Sequence, residues 1–112
     1  HVIISPFEHN SVYRPVYKLS TEGTEFSVIK DNNFDDLDLY VKENTKMIII
    51  NHISNVCGNI ADIEKIGLWA KNKGILFMVD ASNAVFCMFE ESSVAICINA
   101  KAMAHMTKIM IK

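Results

Sequence analysis

The sequence predicts an α/β fold: a mostly parallel sheet with flanking helices. Three observations predict it. Two short apolar runs, Met47–Ile50 and Ile75–Val79, have strand length and end in hydrogen-bonding residues. A helical stretch, Ile60 to Lys73, lies between them and closes at Gly74. The order along the chain is strand, helix, strand, helix, strand, helix, strand, which is how parallel sheets are assembled. In such sheets ligands sit beyond the carboxyl ends of the strands. Asn51, His52, Ser54 and Asn55 follow the first run, and Asp80, Ser82 and Asn83 follow the second.

Taken in order, Val2–Ile4 reads as the end of a buried strand, stopped by Ser5 and Pro6. The polar cluster Glu8-His9-Asn10-Ser11 follows. Asn10 or Ser11 is positioned to cap a helix through Val12 to Leu19, with Pro15 in its first turn, where a missing N–H costs least. Gly23 marks a turn. Glu25 to Ile29 alternates as a short strand, with Phe26 and Val28 on one face. Lys30 to Asn33 form a polar turn, and Phe34 to Val41 has Phe34, Leu37 and Val41 at helical spacing. Asp35, Asp36 and Asp38 belong to that helix's exposed side. Asn59 is expected to cap the central helix, with Asp62 three residues on. Ile63, Ile66, Trp69 and Ala70 form its buried face, and Gly74 takes the left-handed position after its end. Beyond Asn83, Val85–Phe89 and Val94–Ile98 read as strands around Glu90–Ser93, and 100–110 as a helix or an irregular tail.

The composition bounds the function classes. A chain of 112 residues, 50% hydrophobic, supports one domain with a core. A net charge of -2 sets up no field for nucleic acid or anionic lipid. No apolar run approaches the roughly 20 residues of a membrane-spanning helix, and the first residues do not read as a signal peptide. The 3 cysteines, Cys57, Cys87 and Cys97, form no CxxC, which suits a reduced, cytoplasmic setting. The start at His1, directly before an apolar run, suggests a piece of something longer.

His9, Asn55, Asp80 and Asn83 stand at predicted strand ends, and two readings are open for them. They cap strands at the sheet edge, or they line a ligand site there. Asp80 is the sharpest case, because a carboxylate at the rim of a buried strand is costly unless it meets a partner. Cys87 and Cys97 lie in apolar runs as small core residues. Met103, Met106 and Met110 form a packing stripe. His52 and His105 are in no HxH, HxxxH or CxxC spacing, so no metal site is expected.

EHNSVYRPVYKL, followed by NHISNVCGNIADIEKIGLWAKNKGILFMVDASNA, resembles the pyridoxal-phosphate enzymes of aminotransferase class V, especially the cysteine desulfurases. That family shows an EH-x-S/A-V segment, an H-x-N/S-N-x-x-G segment and a V-D-A-S/T-Q strand end. The resemblance covers Val2 to about Ala84, with Asn55 and Asp80 at the family's spacing. It implies part of the large domain of a pyridoxal-phosphate transferase of the aspartate aminotransferase type. It further implies that His9 stacks on the cofactor ring as the catalytic histidine, and that Asp80 pairs with the ring nitrogen. Asn55 approaches the phenolic oxygen. Asn83 stands where the family has Gln and is shorter by one methylene. Ser54 and Gly58 match their positions in the second segment.

The tail departs from the pattern. At the family's spacing from Asp80, His105 falls on the histidine that precedes the Schiff-base lysine, and Met106 on the lysine itself. Lys101 and Lys108 are nearby amines out of place. The phosphate-binding turn is expected before His1, and the mobile catalytic cysteine after Lys112. The resemblance implies a parent that takes sulfur from cysteine or a related amino acid and acts as a homodimer, with residues 85–112 poorly matched. Whether this chain is itself an enzyme is left open. It is a fragment inactive alone, or a non-catalytic binding or structural module decayed from that family.

Overall fold

A computed structural model describes residues 1–30, 33–54 and 57–81, and the backbone of Ala95–Ile98. Its strands are β1 (Val2–Ile4), β2 (Phe26–Val28), β3 (Met47–Asn51), β4 (Leu76–Asp80) and β5 (Ala95–Ile98). They form one sheet in the order β2-β1-β3-β4-β5, and each pairing is parallel. Helix α1 (Asn10–Thr21) follows β1, and helix α2 (Ile63–Lys73) connects β3 to β4. The predicted α/β architecture is therefore what the chain adopts. Predicted strand Val85–Phe89 and the tail from 100 lie outside the described residues.

Both sheet faces are covered, which is why β1, β3 and β4 read as unbroken apolar runs. Side chains alternate across a strand. Ile3, Ile48, Ile50, Phe77 and Val79 accordingly pack with Ile66 and Ala70 of α2, joined by Ile63 and Trp69. Val2, Ile4, Met47, Ile49 and Met78 pack on the other face with Val12 and Val16 of α1. The core thus runs through the middle of the sheet and fixes β3 and β4 beside β1.

Several helix boundaries differ from expectation, each for a local reason. The cap of α1 is His9, not Asn10 or Ser11: its backbone is extended and its ring nitrogen accepts from the Ser11 N–H. The helix therefore starts earlier, and Pro15 falls well inside it rather than in its first turn. A proline there removes the bond to the Ser11 carbonyl. Asp62, not Asn59, caps α2, its Oδ1 accepting from the Lys65 N–H at 3.1 Å. Residues before it are taken up by an antiparallel bridge between Ile53 and Ile60. The expected helix over Phe34–Val41 is one turn of 3-10 helix, Leu37–Tyr40, with Leu37 buried. Gly74 does end α2 in the left-handed conformation, φ 67°.

The two candidate caps are separated by mutation. Asp62→Ala is expected to lower stability by about 1 kcal/mol, as loss of an N-cap does. Asn59→Ala should stay within roughly 0.5 kcal/mol of the parent. Urea denaturation of both variants gives the comparison, and a larger loss in Asn59→Ala than in Asp62→Ala would return the cap to Asn59.

Candidate functional site

Because the strands are parallel, β1, β3 and β4 end at the same edge. The turn after β1 carries Glu8 and His9, β3 ends at Asn51, and β4 ends at Asp80. Asn51 and Asp80 are register partners on adjacent strands. The Asp80 carbonyl accepts from the His52 N–H at 3.0 Å, which extends the pairing one residue beyond β3. Asp80 is 5% exposed and Asn51 6%, so polar side chains are held inside the rim of the sheet.

His9 is exposed on the same edge, at the amino end of α1. Its Nδ1 lies 3.2 Å from the Ser11 N–H that it accepts and 3.0 Å from Ser11 Oγ. These contacts orient the ring and engage only one of its nitrogens. Asn55 and Asn83 lie outside the described residues.

The turn between β1 and α1 is tied to β3. The Ser5 N–H donates to the Ile49 carbonyl at 3.1 Å. Asn51 Nδ2 donates to the Phe7 carbonyl at 3.3 Å. Ser5 Oγ donates to Glu8 Oε1 and accepts from the Asn51 N–H at 3.4 Å. Burial pushes the Glu8 carboxyl up to about 7, although hydrogen bonds from Ser5 and the Asn51 backbone pull it down; the nearby Asp80 charge adds to the rise. A carboxyl titrating near neutrality at a sheet edge is a functional-site signal. Sequence reading placed Glu8 only within a polar cluster. The available signal was the Ser5-x-x-Glu8 spacing, which lets a hydroxyl and a carboxylate meet across one turn.

After β3 the chain folds tightly on itself. The Gly58 N–H donates to the Ser54 carbonyl at 2.8 Å, and the Ser54 N–H to the Asn59 carbonyl at 3.0 Å. Gly58 has φ 69°, a left-handed conformation that favours glycine. Cys57 is exposed, and a hydrogen bond with Ser54 holds its thiol below the ordinary value. A shallow hollow lined by Asn10, Tyr13, Arg14 and Tyr17 lies along α1, where the two tyrosine rings stack with centroids 6.4 Å apart. Among the described residues no group of three His, Cys, Asp or Glu is placed to hold a metal ion. Nor is any helix among them long and apolar enough to cross a membrane.

Residues 1–89 match the family described as aminotransferase class-V. The chain belongs to that family. Class V aminotransferases depend on pyridoxal phosphate, and the matched span contains both His9 and Asp80. The chain is 39% identical over 89 residues to the cysteine desulfurase IscS of Plasmodium falciparum, covering 75% of this chain and 16% of that protein. It is 33% identical to the cysteine desulfurase IscS of Photorhabdus laumondii, over 76% of this chain and 22% of that one. A probable cysteine desulfurase of Methanothermobacter thermautotrophicus is 30% identical over 75% of this chain and 22% of its own length. The chain thus spans 16–22% of these relatives.

Solved structures agree on the fold. A putative O-acetylhomoserine (thiol)-lyase of Campylobacter jejuni, solved with N'-pyridoxyl-lysine-5'-monophosphate, superposes with a TM-score of 0.63 at 30% identity. The match covers 70% of this chain and 20% of that one. MetB of Corynebacterium glutamicum gives a TM-score of 0.64 at 23% identity, over 72% and 21% of the respective chains.

Asp80 offers a buried carboxylate at the end of β4, the kind of group that pairs with a protonated ring nitrogen, and His9 offers an exposed imidazole at the start of α1.

Proposed function

We propose that this class V chain supplies the ring-binding part of a pyridoxal-phosphate site in a cysteine desulfurase-like protein. The observation that carries the reading is Asp80: an almost fully buried carboxylate at the end of β4, on the edge that also presents His9. When bound, pyridoxal phosphate supplies an electron sink for chemistry at an amino acid. Asp80 holds the proton on the ring nitrogen, which keeps that sink strong. His9, its ring steadied by Ser11, would hold the ring face of the cofactor. Asn55 and Asn83 serve the phenolic oxygen, Asn83 with a shorter reach than the family's Gln. The substrate class is cysteine or a related amino acid, and the parent protein is a cytoplasmic homodimer. Residues 1–112 form the middle of its large domain.

A second reading follows from Met106, which stands at the family spacing for the Schiff-base lysine. A chain without that lysine serves as a binding or structural module descended from the same fold.

The test is to add pyridoxal phosphate, reduce with borohydride and map any labelled lysine. We expect no desulfurase or transaminase activity from this chain, and weak cofactor binding that falls with Asp80→Ala and with His9→Ala. Scattered labelling indifferent to both substitutions would support the non-catalytic module. A stoichiometric adduct at Lys101 or Lys108, lost with Asp80→Ala, would show a complete site.

A further inference from the structure

We propose that Glu8 is a positioning residue: as a neutral acid it completes the polar cluster joining the ends of β1 and β3, and so fixes the turn that carries His9 beside Asp80. What the turn is positioned for rests on the cofactor reading above; the role of the Glu8 proton does not.

The cluster holds unmatched atoms. Among the described residues, two buried side-chain polar atoms lack a partner, Glu8 Oε2 and Asn51 Oδ1. With Glu8 ionised, both are acceptors, and both belong to the same cluster. Its other groups are matched: Ser5 Oγ donates to Glu8 Oε1, and Asn51 Nδ2 donates to the Phe7 carbonyl. Buried acceptors without a donor are costly, so the cluster is short of one hydrogen. A proton on Glu8 supplies it, turning the orphaned Oε2 from an unmatched acceptor into a donor within the cluster that Ser5 Oγ ties to Asn51.

The surroundings favour that proton. From β3 the cluster receives Asn51 and from the turn Ser5, neither charged; from β4 the charged group acting on Glu8 is Asp80, an anion. Two carboxylates at one buried edge disfavour double ionisation. A neutral Glu8 therefore removes the like-charge contact with Asp80. Because His9 follows Glu8 directly and caps α1, securing Glu8 secures the placement of the His9 ring.

Carboxyl-carbon and amide NMR on the chain tests this. Glu8 should titrate near 7, with the Phe7 amide and the Asn51 side-chain amide moving at the same midpoint. In Glu8→Gln, which keeps a donor, those amides should stay at their low-pH positions throughout. In Glu8→Ala they should be displaced at every pH. A Glu8 midpoint in the ordinary carboxylate range, or Gln and Ala variants that look alike, would overturn the proposal. A second arm adds pyridoxal phosphate and follows His9 and Asp80. We expect Glu8→Gln to bind like the parent and Glu8→Ala about tenfold more weakly, the loss expected from an unsatisfied buried cluster. Equal binding by all three proteins would remove Glu8 from the positioning role. If the cofactor moves neither His9 nor Asp80 in the parent, the cofactor reading fails, while the titration still decides the Glu8 proton.

Discussion

Acidifying the chain from about pH 8 to about pH 5 should raise its stability by up to ~3 kcal/mol, and Glu8→Gln should remove most of that rise. In the native state the Glu8 carboxyl is raised from 4.5 to about 7. Between those values the folded chain holds a proton that the unfolded chain has released. Stability from this group is therefore complete below 4.5 and is lost as pH climbs through about 7. Other carboxylates act in the opposite sense at lower pH. Glu25, hydrogen-bonded to Lys42, and Asp38, hydrogen-bonded to Lys73 and Trp69, are held below their ordinary values. Their contribution is present above the unfolded values and is lost as pH falls through the folded ones. Both are exposed and screened by water, so their arm is shallow. The chain should consequently be most stable on the mildly acid side of neutrality. Urea midpoints measured across this range give the profile. A flat parent profile, or a slope that survives Glu8→Gln, would contradict it.

The elements legible in the sequence were those whose local and tertiary signals agree. Met47–Asn51 and Leu76–Asp80 are buried on both faces, so their apolar runs are unbroken. Ile66 and Ala70 sit on the buried face that their spacing indicates, and Gly74 stops the helix with a conformation that glycine favours. Legibility fails where one polar residue competes with another for a cap. Asn59 and Asp62 both suit an N-cap by type, and the bridge of Ile53 to Ile60 decides for Asp62 by holding the preceding residues out of the helix. His9 wins over Asn10 and Ser11 because its ring nitrogen accepts from the Ser11 N–H, an arrangement that capping preferences do not favour. At the site, Asp80 ends β4 as its apolar run indicates, whereas His9 lies not at a strand end but at the cap of α1, in the turn after β1. The burial of Glu8 is not legible, because it depends on Ser5 and Asn51 arriving from different strands. A sequence shows each of those residues as merely polar.

Phe77→Ala should cost about 3–5 kcal/mol, the largest single loss expected from one substitution among the described residues. Phe77 is 3% exposed in β4, a strand paired on both sides, with Ile48 as its register partner on β3 and Ala95 on β5. Its side chain belongs to the cluster that includes Ile66 and Ala70 of α2. Truncation therefore removes packing between the sheet and the helix that covers it, and the cavity can close only by moving α2 toward strands that are fixed by parallel pairing. Against a total stability of roughly 5–15 kcal/mol for an ordinary domain, such a loss leaves little margin. Phe77→Leu keeps most of the apolar volume and should lose distinctly less, so the pair separates cavity formation from loss of the aromatic ring. The effect should extend to the site, because β4 delivers Asp80 three residues beyond Phe77. Hydrogen exchange at the Val79 and Asp80 amides should accelerate in Phe77→Ala by the same free energy as the global loss. Exchange that stays at the parent rate while the urea midpoint falls would show that the carboxyl edge holds together independently of the α2-covered core.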